Sequence, residues 1–455
     1  MDIESSFNAL AVAAHFARAR YATHFRNRQS LQNWQQRRLQ YFLHHVLPQA
    51  AAFRGQEITS LNDLPYMDKT VFMGNFSAYN THHIALDDAR AVAIQAETSR
   101  DFLPMLGELT VGLSSGTSGN QGVFLVSQQE RLQWAGIMLA RTLPANMLAR
   151  ILQPWKPPLR IAFFLRANSN LYDTLKSRRI DFAFYDLLQG AEPALQRLNA
   201  TQPDVLVGPP SLLCALAQDL QQGKLRIAPS RLISVAEVLE EADSTLLQQT
   251  FGLVPHQIYQ ATEGFLGYTC EHGTLHLNET YIHFEPEWLD AAQTRFMPVI
   301  TDFTRRTQLL VRYRLNDILR VSKESCACGR AERAIAAIEG RQDEVLWLPA
   351  LVTNQPVAVY PDFLRRAMLL VGPDIEEFDV EQHGMALRVA LRIRQEAHSP
   401  QHVIERVRME LAALWQTLKA QAPELVFENW APPVKGAKRR RVRCQQAPEG
   451  LPCMF

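Results

Sequence analysis

Between Arg160 and Val235 four short apolar runs alternate with segments of helical character, with no internal repeat. The runs are Arg160-Ile161-Ala162-Phe163-Phe164-Leu165, Ile180-Asp181-Phe182-Ala183-Phe184-Tyr185, Asp204-Val205-Leu206-Val207-Gly208 and Arg231-Leu232-Ile233-Ser234-Val235. Runs this short, bounded by turn residues, predict buried strands, and their alternation with helical segments predicts α/β architecture. Upstream, residues 6–49 place apolar side chains three and four apart among Arg and Gln, which predicts helix. Pro65-Tyr66-Met67-Asp68-Lys69 reads as a turn before a short helix. Gly107 to Ser127 reads as loop and then strand, and Gln128 to Leu148 as one helix stopped near Pro154. Beyond Gly340 the pattern changes. Leu387–Ile393 alternates like a half-exposed strand, and a helix is expected from Pro400 to Lys419.

The fold class expected is therefore α/β: a large N-terminal α/β domain of stacked sheets and helices over 1–340, and a small C-terminal α+β domain over 344–455. The best cut lies at 341–343. A chain of 455 residues accommodates this, at roughly 100–200 residues per domain. A formal net charge of +1 gives no global pull toward nucleic acid or acidic membranes. The basic run Lys438-Arg439-Arg440-Arg441-Val442-Arg443 lacks interleaved aromatics and reads as a solvated segment, so no nucleic-acid partner is expected. Met1-Asp2-Ile3-Glu4-Ser5-Ser6 has none of the basic and apolar character of a signal peptide, and no run approaches the ~20 apolar residues of a membrane span. Six cysteines are too few for a disulfide scaffold. A reducing cytoplasm is the expected compartment.

Leu113-Ser114-Ser115-Gly116-Thr117-Ser118-Gly119-Asn120-Gln121-Gly122, ahead of the apolar Val123-Phe124-Leu125-Val126, carries the first chemical signal. Glycines let backbone N–H groups turn toward an anion, and hydroxyls add donors, so the segment suits a polyphosphate. It has no lysine and is not a P-loop. Further segments follow in a fixed order: Ala236-Glu237 after a strand, Tyr259-Gln260-Ala261-Thr262-Glu263, Arg312-Tyr313-Arg314-Leu315-Asn316-Asp317, Gly340-Arg341-Gln342-Asp343-Glu344, and Pro433-Val434-Lys435-Gly436-Ala437-Lys438-Arg439.

This succession resembles the adenylate-forming superfamily of acyl-CoA synthetases, most closely its phenylacetate–CoA ligase branch, over about Asp68 to Lys438. The resemblance implies ATP-dependent conversion of a carboxylic acid, aromatic or otherwise, to an acyl-AMP with release of pyrophosphate. Transfer to the thiol of CoA, or of an acyl carrier protein's phosphopantetheine, would follow. Residue by residue, it implies that Ser114, Ser115, Gly116, Thr117, Ser118 and Gly119 hold the β- and γ-phosphates. Ala236 and Glu237 form the adenine-contacting turn, Tyr259 stacks on adenine, Thr262 touches the α-phosphate, and Glu263 holds Mg²⁺. Asp317 binds the ribose hydroxyls with Arg341 beside it, Asp343 is the hinge, and Lys438 reaches in from a small mobile domain. The chemistry calls for these types: two anions must meet, so a lysine and Mg²⁺ offset charge, and a hard cation takes a carboxylate oxygen. One Asp can accept from both ribose hydroxyls. The chain departs from the family pattern at Asn120, where a lysine is common, and at Leu315-Asn316. Lys435 rivals Lys438. Transfer to an amine or hydroxyl, or a catalytically silent zinc-stabilised nucleotide-binding relative, stays open, as does a homodimer.

Cys270, His276, Cys326 and Cys328 form a separate constellation. A Cys-x-Cys-Gly segment with a distant Cys and His can supply four tetrahedral ligands, and four protein ligands make a closed, structural Zn²⁺ site. His272 is the alternative ligand, and four unligated thiol and imidazole groups the bland reading.

Overall fold

The computed structural model describes residues 3–99, 104–113, 122–165, 174–187, 191–353, 355–372, 374–395, 399–432 and 439–448. The chain divides into two compact units. The first runs to Thr294 and adds Pro298–Leu315 and Val321–Ala337. The second takes Arg295–Met297, Asn316–Arg320 and the chain from Ile338 onward.

In the first unit, β1 (Met105–Leu106), β2 (Leu109–Leu113) and β3 (Val123–Val126) make a three-stranded antiparallel sheet, with Leu113 opposite Val123. The stretch read as loop from Gly107 thus already contains a strand; Leu109-Thr110-Val111 is short and apolar enough to pair. The larger sheet is built on β4 (Leu159–Leu165), β5 (Ile180–Asp186), β6 (Val205–Gly208), β7 (Arg231–Val235) and β8 (His256–Ala261), parallel and ordered β5-β4-β6-β7-β8. The predicted apolar runs fall on β4 to β7. All four residues of β6 are buried, as a central parallel strand requires. The sheet continues antiparallel through β9 (Gly264–Thr269) and β10 (Leu275–Leu277).

The N-terminal helices Ile3–Ala17 and Arg28–Tyr41 each run on into a π-helical turn. Asp68 caps the short helix Lys69–Gly74 by accepting from Val71 N at 2.8 Å. The expected single helix from Gln128 is two: Gln128–Thr142, opened by a reciprocal Ser127–Glu130 cap, and Ala145–Ile151. Pro144 has no N–H to continue the first, and the residue before a proline turns extended, as Leu143 does at ψ 132°.

Strands β11 (Ile282–Trp288), β12 (Arg295–Asp302), β13 (Tyr313–Arg314), β14 (Asp317–Val321) and β15 (Ala334–Arg341) complete the larger sheet, and the chain passes into the second unit along β12, β14 and β15. That unit pairs β16 (Leu346–Pro349) with β17 (Pro356–Val359). It orders β18 (Ile375–His383), β19 (Ala386–Ile393), β20 (Glu424–Asn429) and β21 (Val442–Gln446) as β20-β19-β18-β21. Helix Pro400–Leu418 sets Val403, Val407, Leu411 and Trp415 on one face, buried against the alternating Leu387, Val389 and Leu391 of β19. The unit is α+β, as expected.

Candidate active site and metal centre

Strands β8 and β9 pair up to Ala261 opposite Gly264, which leaves Thr262 and Glu263 as a two-residue hairpin turn. Glu263 is therefore a turn-tip residue. Both turn carbonyls accept from Arg305 Nη2, at 3.2 Å for Thr262 and 3.0 Å for Glu263. The Tyr313 phenol lies near the Glu263 carboxylate; burial first, and Glu263 second, push that phenol above its ordinary range. Tyr313 is fixed by β13–β12 pairing and by edge contact with Phe72 at 5.7 Å.

Tyr259, on β8, is buried. Ala236 follows β7 with φ +72°, a conformation uncommon outside glycine, so the backbone turns sharply where an adenine contact is expected. The Glu237 carboxylate accepts from Ser211 N at 3.4 Å, near the start of helix Pro210–Gln221.

Within the second unit, Arg341 Nε lies 3.5 Å from Asp317 Oδ1. Asp343 and Glu344 share Arg440, at 2.6 and 2.9 Å. Arg440 is therefore anchored, in place of the solvated basic run expected from the sequence. Ser114, Ser115, Gly116, Thr117, Ser118, Gly119, Lys435 and Lys438 lie outside the described residues.

The four cysteine and histidine side chains do meet. One ligand atom from each of Cys270, His276, Cys326 and Cys328 lies within 4.8 Å of all the others. Two turns of the same kind present the three cysteines, and β10 presents His276. Gly273 N donates to Cys270 O and Gly329 N to Cys326 O, both at 3.1 Å, each glycine at positive φ. Both turns read Cys-x-x-Gly, a likeness visible in the sequence once the spacing is noticed. Cys270 Sγ lies 3.6 Å from Cys326 Sγ, and Cys328 Sγ 3.4 Å from His276 Nε2. Ligands ~2.3 Å from a tetrahedral centre stand ~3.7 Å apart, so the donor set fits zinc. His276 Nδ1 bonds the Glu332 carbonyl at 3.0 Å, which leaves Nε2 to face the thiols. Burial opposes ionisation of both turn thiols; hydrogen bonds led by Thr274 bring Cys326 down to about 6, while burial and the Cys326 charge push its neighbour Cys328 up to about 12. His272 is exposed and does not join the group.

Behind this cluster lies a buried network that no sequence motif announced. Glu332 accepts from Tyr268 and Thr280 and pairs with Arg141 at 3.5 Å; both charged side chains are at most 3% exposed. Burial alone would push the Glu332 carboxyl up, but Arg141 and then Arg330 hold it below its ordinary value.

Solved structures of a 2-hydroxyisobutyryl-CoA ligase are similar to the chain over almost its whole length. With the postadenylation state holding 2-HIB-AMP the TM-score is 0.61 at 16% identity, covering 92% of this chain and 89% of that one. With an open conformation in complex with 2-HIB-AMP and CoA it is 0.54 at 19%, covering 90% of each. The fold is that of the adenylate-forming ligases. No protein-family model and no curated protein matches the chain. At these identities the likeness concerns the adenylate-forming fold alone. Among the described residues, no helix is long and apolar enough to cross a membrane.

Proposed function

We propose that the chain is an AMP-forming acid–thiol ligase of the phenylacetate–CoA ligase-like kind. It would activate a carboxylic acid as acyl-AMP and pass the acyl group to CoA or to a carrier protein's phosphopantetheine. The observation that carries the reading is the Thr262–Glu263 turn: a hydroxyl and a carboxylate side by side at a hairpin tip, on an adenylate-forming fold. In this reading the acid's oxygen attacks the α-phosphorus of ATP, and pyrophosphate leaves. Thr262 donates to the α-phosphate. Glu263 offers one hard oxygen, which fits Mg²⁺ because that ion keeps several waters and binds through one or two carboxylates plus phosphates. Bound there, Mg²⁺ would supply charge neutralisation at the phosphates. Asp317, oriented by Arg341, accepts from the ribose hydroxyls. Ser114 to Gly119 cradle the outer phosphates, Ala236, Glu237 and Tyr259 take the adenine, and Lys438 offsets the developing charge. Asp343 serves as hinge for a small mobile domain. The Cys270, His276, Cys326 and Cys328 group holds a structural zinc, joining the β9–β10 turn to the 326–329 turn. The enzyme works in the cytoplasm.

The test is hydroxylamine trapping and pyrophosphate release across a panel of aromatic and aliphatic acids with ATP and Mg²⁺. Acid-dependent pyrophosphate is expected. Lys438→Ala should lose adenylation by roughly 100-fold or more while still passing a supplied acyl-AMP to thiol, the scale of one lost charge contact in the transition state. Silence with every acid, from folded protein, would sink the proposal. That phenotype in Lys435→Ala, and not in Lys438→Ala, would move the lysine's role.

A further inference from the structure

We propose that Arg305 is a positioning residue that sets the Thr262–Glu263 turn against β3, the strand leaving the Ser/Gly segment. Its guanidinium reaches three places at once. Nη2 donates to both carbonyls of the turn, at 3.2 and 3.0 Å, and Nη1 to Leu125 O on β3 at 3.5 Å. Nε faces Asp302 Oδ2 at 3.6 Å, and the arginine side chain is 10% exposed. Asp302 is itself held by Thr304, through its backbone N at 2.9 Å and its hydroxyl at 2.6 Å, so the counter-charge is fixed as well.

The residues after Arg305 are bolted to the same strand and to the helix that follows it. Gln308 uses its side chain as a short ladder: Oε1 accepts from Leu125 N at 3.1 Å and Nε2 donates to Val123 O at 3.3 Å. Arg306 N, Thr307 N and the Thr307 hydroxyl all converge on the buried Glu130 carboxylate, at 2.6, 3.0 and 2.6 Å. Arg305 thus hangs from a segment that cannot slide relative to β3, and its fork carries that registration to the turn. A two-residue turn has few contacts of its own to fix its pitch. The guanidinium fixes it from the backbone side, and the Tyr313 phenol lies near the Glu263 carboxylate. Lysine carries its three donors on one nitrogen and cannot span the turn and β3 as the planar guanidinium fork does.

This rests on Glu263 being the magnesium ligand of the proposed ligase. The experiment uses the full chain as wild type, Arg305→Met and Arg305→Lys. Mn²⁺ binding in the presence of a non-hydrolysable ATP analogue is followed by water-proton relaxation, alongside the thermal midpoint and the Mg²⁺ dependence of acid-dependent pyrophosphate release. Arg305→Met should bind the metal–nucleotide roughly 10–100-fold more weakly, as loss of a support behind a ligand does. Its half-saturating Mg²⁺ should rise in parallel, while KM for the acid stays within about threefold. Arg305→Lys should fall between the two. Unchanged metal–nucleotide binding in Arg305→Met overturns the inference, as does an acid KM that rises as much as the Mg²⁺ requirement. Should Arg305→Met fail to fold, Arg305→Lys decides on the same readouts: wild-type values overturn the inference, weakened metal–nucleotide binding sustains it. If wild type itself binds no metal–nucleotide, the ligase reading fails and this one with it; if wild type binds and the variants match it, only this one fails.

Discussion

Replacing Glu332 by Gln removes the charge from the buried Arg141 pair while keeping an acceptor of nearly the same shape. Arg141 is left as a cation with its side chain 1% exposed, beside the rings of Tyr268 and Tyr281 at 5.2 and 5.9 Å. Stripping one partner from a buried ion pair costs about 3–5 kcal/mol. The glutamine oxygen can still accept from Thr280 or Tyr268, which puts the loss near the lower end, about 3 kcal/mol. For a unit of this size about 2 °C per kcal/mol applies, so the midpoint should fall by roughly 6 °C at neutral pH. The pH dependence follows from the sign of the shift. Glu332 is held below its ordinary value in the fold, so its contribution is present in full above the unfolded value, about 4.3, and is lost as pH falls below that toward the folded one. The gap between wild type and Glu332→Gln should therefore be full at pH 7.5 and narrow below about pH 4.3. Adding Arg141→Met should recover part of the loss and not all of it, since Arg330, 5% exposed and 3.8 Å from the carboxylate, still loses its counter-charge. Calorimetry on the four proteins of the cycle measures this. A drop under about 2 °C at pH 7.5, or an unchanged gap in acid, would refute the reasoning. Metal content should not change, because His276 is held by the Glu332 carbonyl and not by its carboxylate.

Purified without chelator, the protein should carry about one zinc per chain by elemental analysis, since a structural site is expected full. Cys328→Ser should abolish most of it, whereas His272→Ala should not; less than about 0.2 zinc in wild type would leave the cluster as bare thiols. Gly136→Ala should loosen the N-terminal helix Ile3–Ala17. A Cβ at Gly136 would stand 2.6 Å from His15 Cβ and 2.7 Å from Val12 O, overpacking that costs about 1–3 kcal/mol, read as faster proteolysis near the N-terminus. Wild-type cleavage rates would show that the helix packs elsewhere.

Much of this protein is written locally. The strands β4 to β7 follow from short apolar runs, and the helix Pro400–Leu418 from a proline start and an apolar face at four-residue spacing. The residue types of the cysteine–histidine cluster were legible for the same reason: Cys270, Cys326 and Cys328 sit in two Cys-x-x-Gly turns, and His276 follows three residues after the first. Pro144 was also local, but it was outweighed by the helical pattern around it. What the sequence could not display is the pairing of distant segments. Arg305 sits 43 residues from Thr262 and Gln308 183 from Leu125, in stretches whose polar residues look like solvated loop until the sheet folds them inward. Glu332 and Arg141 are likewise ordinary surface types that only burial turns into a network.

The sequence by itself determined which chemical groups the chain owns and the order in which they come, because turns, caps and strand periodicity act over a few residues. The tertiary structure alone decided which of those groups meet. It brought Cys270 and Cys326, 56 residues apart, to 3.6 Å, and hung the Glu263 turn from an arginine. It also assigned Asp317 to the second unit along with Arg341 and Asp343. The reason is physical: sheet order and burial are set by the whole chain's competition to remove apolar surface from water, which no single stretch encodes.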